Sequence, residues 1–273
     1  MKQENLIILD DEQKSGPGIM EKIENRRRKR KTRKTITITV LLTVILVVVI
    51  MMSPLFNLKY VHIEGNEKLS YDDIYAASNI VYNKNIFKIP VSGTERVIES
   101  LPYIESASLK RRYPGTIMIS VTECVPVACL QYLDGKLIID KRAKILEVYS
   151  GEEESLLPVI HGIEITEADA GKTVAASDID KLNTAVEILN NIYSIDMQAD
   201  LHYIDIEDIS LIKLKVRQVH VNVGDSSQLA YKMKYLKGII DNLRADEKGT
   251  VDLRTIPNVV FKQEFEEEIE SFE

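Results

Sequence analysis

Residues 35–58 read TITITVLLTVILVVVIMMSPLFNL and carry no charged side chain. A bilayer core of about 30 Å is crossed by roughly 20 apolar residues of α-helix. Val, Ile and Thr are poor helix formers in water, but in lipid every backbone polar group must bond within the segment, which enforces a helix. The apolar stretch from Ile36 to about Leu55 therefore predicts one transmembrane helix, which we place at residues 35–55.

Two other interpretations of this stretch fit less well. A buried core helix or strand rarely continues for this length without a polar face. A cleaved signal peptide has an apolar stretch of about 7–15 residues followed by a small-residue cleavage site, and no such site follows here. We therefore predict a permanent anchor, and a polytopic membrane protein is excluded because the chain has one such stretch.

The net charge of −7 is distributed unevenly along the 273 residues. Residues 1–34 hold 11 Lys/Arg and 6 Asp/Glu, whereas residues 59–273 hold 24 basic and 36 acidic side chains. Positive charge beside a span stays cytoplasmic. Residues 1–34 are therefore predicted to be a cytoplasmic tail and residues 56–273 to lie outside the membrane. A basic run can also bind nucleic acid or act as a nuclear signal, but beside a span we favour the topology signal and predict no nucleic-acid partner.

The chain has two cysteines, Cys124 and Cys129, in predicted extended chain around Pro126. At about 3.3 Å per residue their α-carbons lie about 16 Å apart, well beyond the ~7 Å that a disulfide spans. We predict that both are unpaired packing residues.

The first exported region, residues 56–124, has the pattern of a compact αβ domain. Ser70 begins an S-x-x-D pattern that is closed by Asp73 and predicts the start of a helix. The predicted helix at 94–101 has Val97, Ile98 and Leu101 as its apolar stripe. The predicted order is a strand at 58–64, helices at 70–78 and 94–101, and strands at 104–111 and 116–123.

Residues 125–262 predict a second, β-rich domain with two helices, so the fold class is α+β. Asp134-Gly135 predicts the turn of a hairpin, and residues 151–155 predict a solvated loop. A helix is expected to begin at Ser177, with Asp180 completing its capping box. The other predicted elements are strands at 127–133, 136–140, 145–148, 201–206, 210–216, 218–223 and 250–254, and helices at 178–193 and 227–243. Residues 263–273 are predicted to be an acidic tail or a short helix.

Several stretches, in order along the chain, resemble the bacterial cell-division family FtsQ/DivIB. In the first exported domain they resemble the family's polypeptide-transport-associated (POTRA) domain, with Cys124 in place of a usual basic residue. In the second they resemble its β domain. The stretches are VHIEGN at 61–66, NIFKI at 85–89, LPYIESA at 101–107, RRYPGT at 111–116, ECVPVA at 123–128, LPVIHG at 157–162 and TVDLR at 250–254.

The resemblance implies a non-enzymatic divisome assembly protein at the septum. Its implied partners are FtsL-like and FtsB/DivIC-like single-span proteins, through which it helps position or control septal peptidoglycan synthases. Partner binding by strand addition would involve the edge that follows residues 251–254, namely Val259, Val260 and Phe261. That these three merely close the core remains an alternative.

The motif at residues 250–254 has a structural interpretation as well. Val251, Asp252, Leu253 and Arg254 are expected to fix their strand, with Asp252 and Arg254 forming charge-assisted hydrogen bonds rather than contacting a partner.

Patterns typical of enzymes are missing from the sequence. The four histidines are scattered without metal-ligand spacing, and no G-x-S-x-G, S-x-x-K, P-loop or G-x-G-x-x-G motif occurs. A cysteine nucleophile would need a basic neighbour that sequence cannot reveal. We predict no catalytic residue, cofactor or metal. The alternatives are a membrane-anchored POTRA protein of secretion or envelope assembly, and an exported cell-wall enzyme.

Overall fold

A computed structural model describes residues 18–150 and 156–263 of the chain. The chain divides into two compact units, Met1–Asn57 and Leu58–Glu273, and each is described by itself. The predicted loop at 151–155 and nearly all of the predicted acidic tail lie outside the described residues.

The first unit contains one long helix, α1, at Ile19–Met51. Its segment Arg28–Met51 is long and apolar enough to cross a membrane, which fits a single-pass membrane protein. The helix ends four residues before the predicted Leu55, because a short 3₁₀ turn at Pro54–Phe56 follows and proline cannot continue the helical hydrogen-bond ladder. Threonine hydroxyls along α1 donate to the carbonyl four residues earlier at 2.9–3.0 Å, so these polar groups are satisfied within the helix.

The second unit begins with the predicted β-α-α-β-β domain. Its three strands form a sheet in the order β1-β3-β2, in which β1 is parallel and β2 antiparallel to β3. The elements are β1 (Tyr60–Glu64), α2 (Tyr71–Ala77), α3 (Val91–Glu99), β2 (Ile104–Arg112) and β3 (Thr116–Glu123). A 3₁₀ turn at Ile86–Lys88 precedes α3.

Of the two predicted helix starts in this domain, one is confirmed and the other is wrong. The Ser70–Asp73 capping box is confirmed, with each side chain bonded to the other residue's backbone N–H. Helix α3 begins three residues before the predicted Thr94, because the Pro90 carbonyl accepts its first helical hydrogen bond. Thr94 is consequently buried and Val97 is 41% exposed, so the predicted apolar stripe was wrong at Val97.

The second domain is built on a nine-stranded mixed sheet, which the two remaining helices cover. The sheet order is β14-β13-β12-β11-β10-β7-β4-β5-β6, and β8 pairs with β9 in a separate small sheet. The elements are β4 (Ala128–Tyr132), β5 (Gly135–Ile139), β6 (Ile145–Ser150), β7 (Val159–His161), β8 (Ile165–Glu167), β9 (Ala175–Ala176), α4 (Ile179–Ser194), β10 (Leu201–Asp205), β11 (Ile212–Val216), β12 (Val219–Gly224), α5 (Leu229–Ile240), β13 (Gly249–Asp252) and β14 (Val260–Gln263).

Helix α4 packs an apolar stripe into the core, and its N-cap differs from the predicted one. Leu182, Ala185 and Leu189 are buried. The N-cap is Asp178 instead of the predicted Ser177, because the Asp178 carboxylate accepts hydrogen bonds from the backbone N–H groups of residues 180 and 181. A carboxylate bonds these free N–H groups more strongly than a hydroxyl does.

The turn of the β4–β5 hairpin lies one residue earlier than predicted. Tyr132 pairs with Gly135, so the two-residue loop is Leu133-Asp134, and Leu133 itself takes the positive φ of 49°. The predicted Asp134-Gly135 turn was therefore wrong, since Gly135 is the first residue of β5.

The two predicted domains are joined through Lys144. Its ammonium group donates hydrogen bonds to the backbone carbonyls of Glu99, Leu101 and Ile104 at 2.7, 2.8 and 2.6 Å. Glu99 is the last residue of α3, where carbonyls lack helical partners and a cation is favoured. Burial lowers the pKa of Lys144. A lysine of the second domain thus caps a helix of the first.

Further contacts surround Lys144 at this junction. The Tyr103 hydroxyl donates to the Glu147 carboxylate at 2.7 Å, and Glu105 pairs with Lys141 at 3.0 Å. Tyr103, Cys124 and Leu146 form a buried apolar cluster. Cys124 and Cys129 are both buried and neither forms a disulfide, as the sequence predicted.

We expect Lys144→Ala to lower the free energy of unfolding by about 2 kcal/mol or more, because three carbonyls lose a charged donor in a partly buried place. Chemical denaturation of the full chain in detergent measures the change. The matched control is Lys172→Ala, whose ammonium contacts only Asp169 at the surface and whose loss should change stability by about 0.5 kcal/mol or less. Equal effects of the two variants would contradict the capping role.

Candidate partner-binding edge

Strand β14 forms one end of the nine-stranded sheet. It pairs antiparallel with β13, with Asp252 opposite Val260 and Val251 opposite Phe261. No strand lies on the outer side of β14 in the part of the chain that the structure describes. The backbone groups along this side are therefore available to an added strand.

The three residues predicted to face a partner differ in side-chain exposure. The Val260 side chain is 53% exposed, whereas Val259 and Phe261 are half-buried and pack against the core of the second domain. Alternation along a strand explains the difference, because Phe261 shares the face of its buried neighbour Val251. At this edge, the side chain of Val260 is exposed and no described strand pairs with the outer side of β14.

Gly249 allows β14 to lie this close to β13. A Cβ atom at Gly249 would lie 2.5 Å from both the Lys262 carbonyl oxygen and the Phe261 ring. These distances are far below van der Waals contact, so a side chain at position 249 would displace β14. Sequence reasoning missed this role, because a lone glycine ahead of a strand is equally typical of a turn or a bulge.

The motif at residues 251–254 anchors the neighbouring strand. Val251 and Leu253 are fully buried. The Arg254 guanidinium forms a fork with the Asp252 carboxylate, with Nε to Oδ1 at 2.9 Å, and this pairing lowers the pKa of Asp252.

A buried lysine lies near this motif. Lys232 on α5 donates to the carbonyl oxygen and the carboxylate of Asp225, both at 2.9 Å. Hydrogen bonds from Ser227 and then Lys232 hold the pKa of Asp225 at about 2. The contact joins α5 to the loop after β12. The sequence offered one signal, a lysine beside the apolar stripe of a predicted helix.

In the small sheet of the first domain, backbone groups of both outer strands are already bonded by side chains. The N–H groups of Ala107 and Leu109 in β2 donate to the carboxylates of Glu99 and Glu95, at 3.1 and 2.7 Å. On β1, the Val61 carbonyl accepts a hydrogen bond from the Tyr71 hydroxyl at 3.2 Å. Strand addition at either edge would require these bonds to break.

The opposite end of the large sheet, β6, is partly covered. The Ile145 N–H donates to the Lys172 carbonyl at 2.8 Å, and the Ile145 carbonyl accepts from the Gly171 N–H at 2.7 Å. No described side chain bonds the backbone of β14. Of the four edges of the two larger sheets, β14 is therefore the most open among the described residues.

The described residues offer little to support catalysis. All four histidines are exposed, and Tyr203 contacts two of them, His161 by its ring and His220 through a 3.3 Å hydrogen bond. No cluster of three metal-ligating side chains occurs in residues 18–150 and 156–263. Burial raises the pKa of the Cys124 thiol to about 11, which opposes formation of a nucleophilic thiolate.

Comparison with known proteins agrees with this architecture. Residues 56–123 match the family model of the POTRA domain, FtsQ-type, and residues 129–254 match that of the cell division protein FtsQ/DivIB C-terminal region. The chain is 28% identical to the cell division protein DivIB of Clostridium acetobutylicum, across 76% of this chain and 83% of that protein. It is 26% identical to DivIB of Clostridium tetani, across 73% and 77% of the two chains.

A third relative is the cell division protein FtsQ of Syntrophotalea carbinolica, 27% identical across 59% of this chain and 58% of that protein. An apolar helix followed by a POTRA domain and a β-rich domain defines a class of single-span envelope proteins. Within this class, the chain belongs to the FtsQ/DivIB family of cell-division proteins. Its relatives' names support a role in division.

We expect Gly249→Ala to destabilise the β13–β14 pair, because its Cβ would overlap Phe261 and Lys262. The expected loss is about 1–3 kcal/mol, with faster proteolysis after Lys262. The control is Gly238→Ala on α5, where a Cβ meets no atom within 4 Å. That change should stabilise the helix by up to about 1 kcal/mol. Equal proteolysis of both variants would show that β14 does not need a glycine opposite it.

Proposed function

We propose that this protein is a non-enzymatic assembly protein of the bacterial division machinery, and that β14 is its binding edge. The observation that carries the proposal is the open outer side of β14 in a chain of the FtsQ/DivIB family. A partner segment adds to the sheet as a further strand, by β-augmentation.

The side chains along β14 are suited to such an addition. Backbone hydrogen bonds supply most of the affinity, and side chains on alternating faces supply the specificity. Val260 contacts the partner directly, while Phe261 and Val259 hold the strand against the core. Asp252 and Arg254 keep β13 in place beneath the added strand.

The partners are FtsL-like and FtsB/DivIC-like single-span division proteins. Through them the protein helps position or control the septal peptidoglycan synthases, with no chemistry of its own. The raised pKa of the Cys124 thiol and its burial support this non-enzymatic role.

The protein is anchored at the septum with its N-terminus in the cytoplasm and its second unit outside. Support for this type II orientation comes from the nine basic residues within 22–34, directly before the apolar stretch. The same residues add attraction to anionic lipid headgroups on the cytoplasmic side.

We expect Val260→Lys to weaken binding of a DivIC-like partner at least about tenfold, because a charged side chain would be desolvated at the edge. Phe261→Ala should also weaken binding, but together with a loss of stability, since Phe261 packs on the core. The measurement is titration of the detergent-solubilised full chain with labelled partner.

The matched control for this experiment is Val148→Lys. Val148 is 43% exposed and lies on β6, the strand at the other end of the same sheet. It should leave the affinity unchanged. Wild-type affinity of a folded Val260→Lys protein would rule out the edge-strand proposal.

For topology, we expect a C-terminal reporter that is active only outside the cytoplasm, such as alkaline phosphatase, to be active. Exchanging the basic residues at positions 26–31 for glutamine should lower that activity, because fewer positive charges then keep the N-terminus in the cytoplasm. An active cytoplasmic reporter at the same C-terminus would refute the orientation.

A further inference from the structure

One end of the first domain is formed by three segments that are distant in sequence. They are the start of β1, the residues between α2 and α3, and the β2–β3 hairpin. Backbone hydrogen bonds hold them together, from the Lys59 N–H to the Gly115 carbonyl at 2.7 Å and from the Leu58 N–H to the Lys84 carbonyl at 2.9 Å. Arg111 completes the assembly by donating to the Ile86 carbonyl at 2.8 Å. We name this surface the basic end.

The basic end is rich in cations and contains no acid of its own. Residues 58–60, 79–90 and 110–116 hold six Lys/Arg and no Asp or Glu. The acidic neighbour on α3, Glu95, is engaged with the Leu109 N–H at 2.7 Å. The exposed cations, none of which forms a salt bridge among the described residues, are Lys59, Lys84, Lys88, Lys110 and Arg112.

This local excess of positive charge opposes the average of the region. Residues 59–273 as a whole hold 36 acidic and 24 basic side chains. A chance distribution on an acidic protein would intersperse the signs, and clustered like charge raises the electrostatic free energy of the folded unit. Such a cluster is typical of a surface that meets an anionic partner.

Exposed aromatic side chains accompany these cations. Tyr113 is 64% exposed at the tip of the hairpin, and its ring stacks on Phe87 with centroids 5.5 Å apart. Tyr60 and Tyr82 are also exposed. Tyrosine is enriched at the headgroup level of membranes, because its ring is apolar and its hydroxyl is polar.

The chain enters this domain at the basic end. Leu58 follows Met51, the last residue of the apolar helix, with six residues between them. Apart from Lys59, the cations come from residues 84–112, beyond the 15–20 residues over which basic side chains influence topology. Folding brings them to the part of the domain where the chain arrives from the helix.

We propose that the basic end binds the anionic headgroups of the bilayer that holds the chain's own apolar helix. Lys59, Lys84 and Arg112 bind lipid phosphates, and Tyr113 inserts at the headgroup level. The proposal depends on the membrane anchor and is independent of partner binding at β14, so the two can fail separately.

The chain contains no tryptophan, which makes a direct test possible. Tyr113→Trp places a single fluorophore on the basic end of the full chain, and Tyr231→Trp places one on α5 as the control, where Tyr231 is 46% exposed. Both proteins are reconstituted into vesicles that contain brominated lipids. One set is zwitterionic and the other holds about 30% phosphatidylglycerol, enough for a marked negative surface potential.

We expect the anionic bilayer to quench Trp at position 113 at least about twice as strongly as Trp at position 231. Adding Lys59→Gln, Lys84→Gln and Arg112→Gln should at least halve that quenching, and about 0.5 M salt should have a similar effect because it screens exposed charges. The matched triple variant Lys172→Gln, Lys213→Gln and Lys234→Gln removes exposed lysines elsewhere and should leave the quenching unchanged.

Three outcomes would overturn the proposal. These are equal quenching at the two positions, quenching that does not depend on the anionic lipid content, and quenching that is unchanged by the triple substitution at the basic end.

Soluble polyphosphate is added to the zwitterionic vesicles as a further arm. If it alters Trp emission at position 113 while the anionic bilayer does not, the basic end binds a soluble polyanion and the lipid assignment is wrong.

Discussion

The arrangement of the second unit depends on one ammonium group, that of Lys144, and on the three carbonyls that it binds at the end of α3. A helix C-terminus that faces another domain leaves carbonyls to be satisfied, and a cation from that domain meets both the hydrogen-bonding and the dipole requirement. The Tyr103–Glu147 bond and the cluster around Leu146 add to the contact. The POTRA domain and the β domain therefore form one compact unit instead of two units on a flexible linker.

The edges of the larger sheets are treated within each domain. The larger sheet of each domain contributes two edges, and unpaired edges invite unwanted association. Glutamates of α3 bond the N–H groups of β2, Tyr71 bonds β1, and residues 171 and 172 bond the start of β6. Among these four edges, only β14 lacks such a cover in the described residues, and Gly249 is what lets it pair closely with β13. The edges at β1 and β2 are bonded by side chains and the edge at β6 is partly covered by a loop, so β14 differs from the other three.

The elements that sequence predicted well are those whose signals are local. Strand β3 has the predicted bounds, and the Ser70–Asp73 box begins α2, because alternation and capping involve residues a few positions apart. The strands β7, β8, β9 and β14 are two to four residues long, too short for any periodic pattern to indicate them. Lys144 and Gly249 act on residues far away in sequence, so their roles exist only in the folded chain. At the candidate edge, sequence indicated the segment 259–261 but not which of its side chains faces solvent.

The two basic regions of the chain also differ in whether the sequence alone reveals them. The basic tail before the apolar helix is continuous in sequence and can be read directly, whereas the basic end is assembled from three segments of an acidic region. If the basic end binds the bilayer, the junction at Lys144 gives that contact a consequence for the second domain. A domain that is held to lipid at one surface, and that forms one compact unit with a second domain, also limits how the second domain is oriented. The direction in which β14 faces would then be limited at the membrane, and a limited orientation would lower the entropic cost of binding the proposed single-span partners.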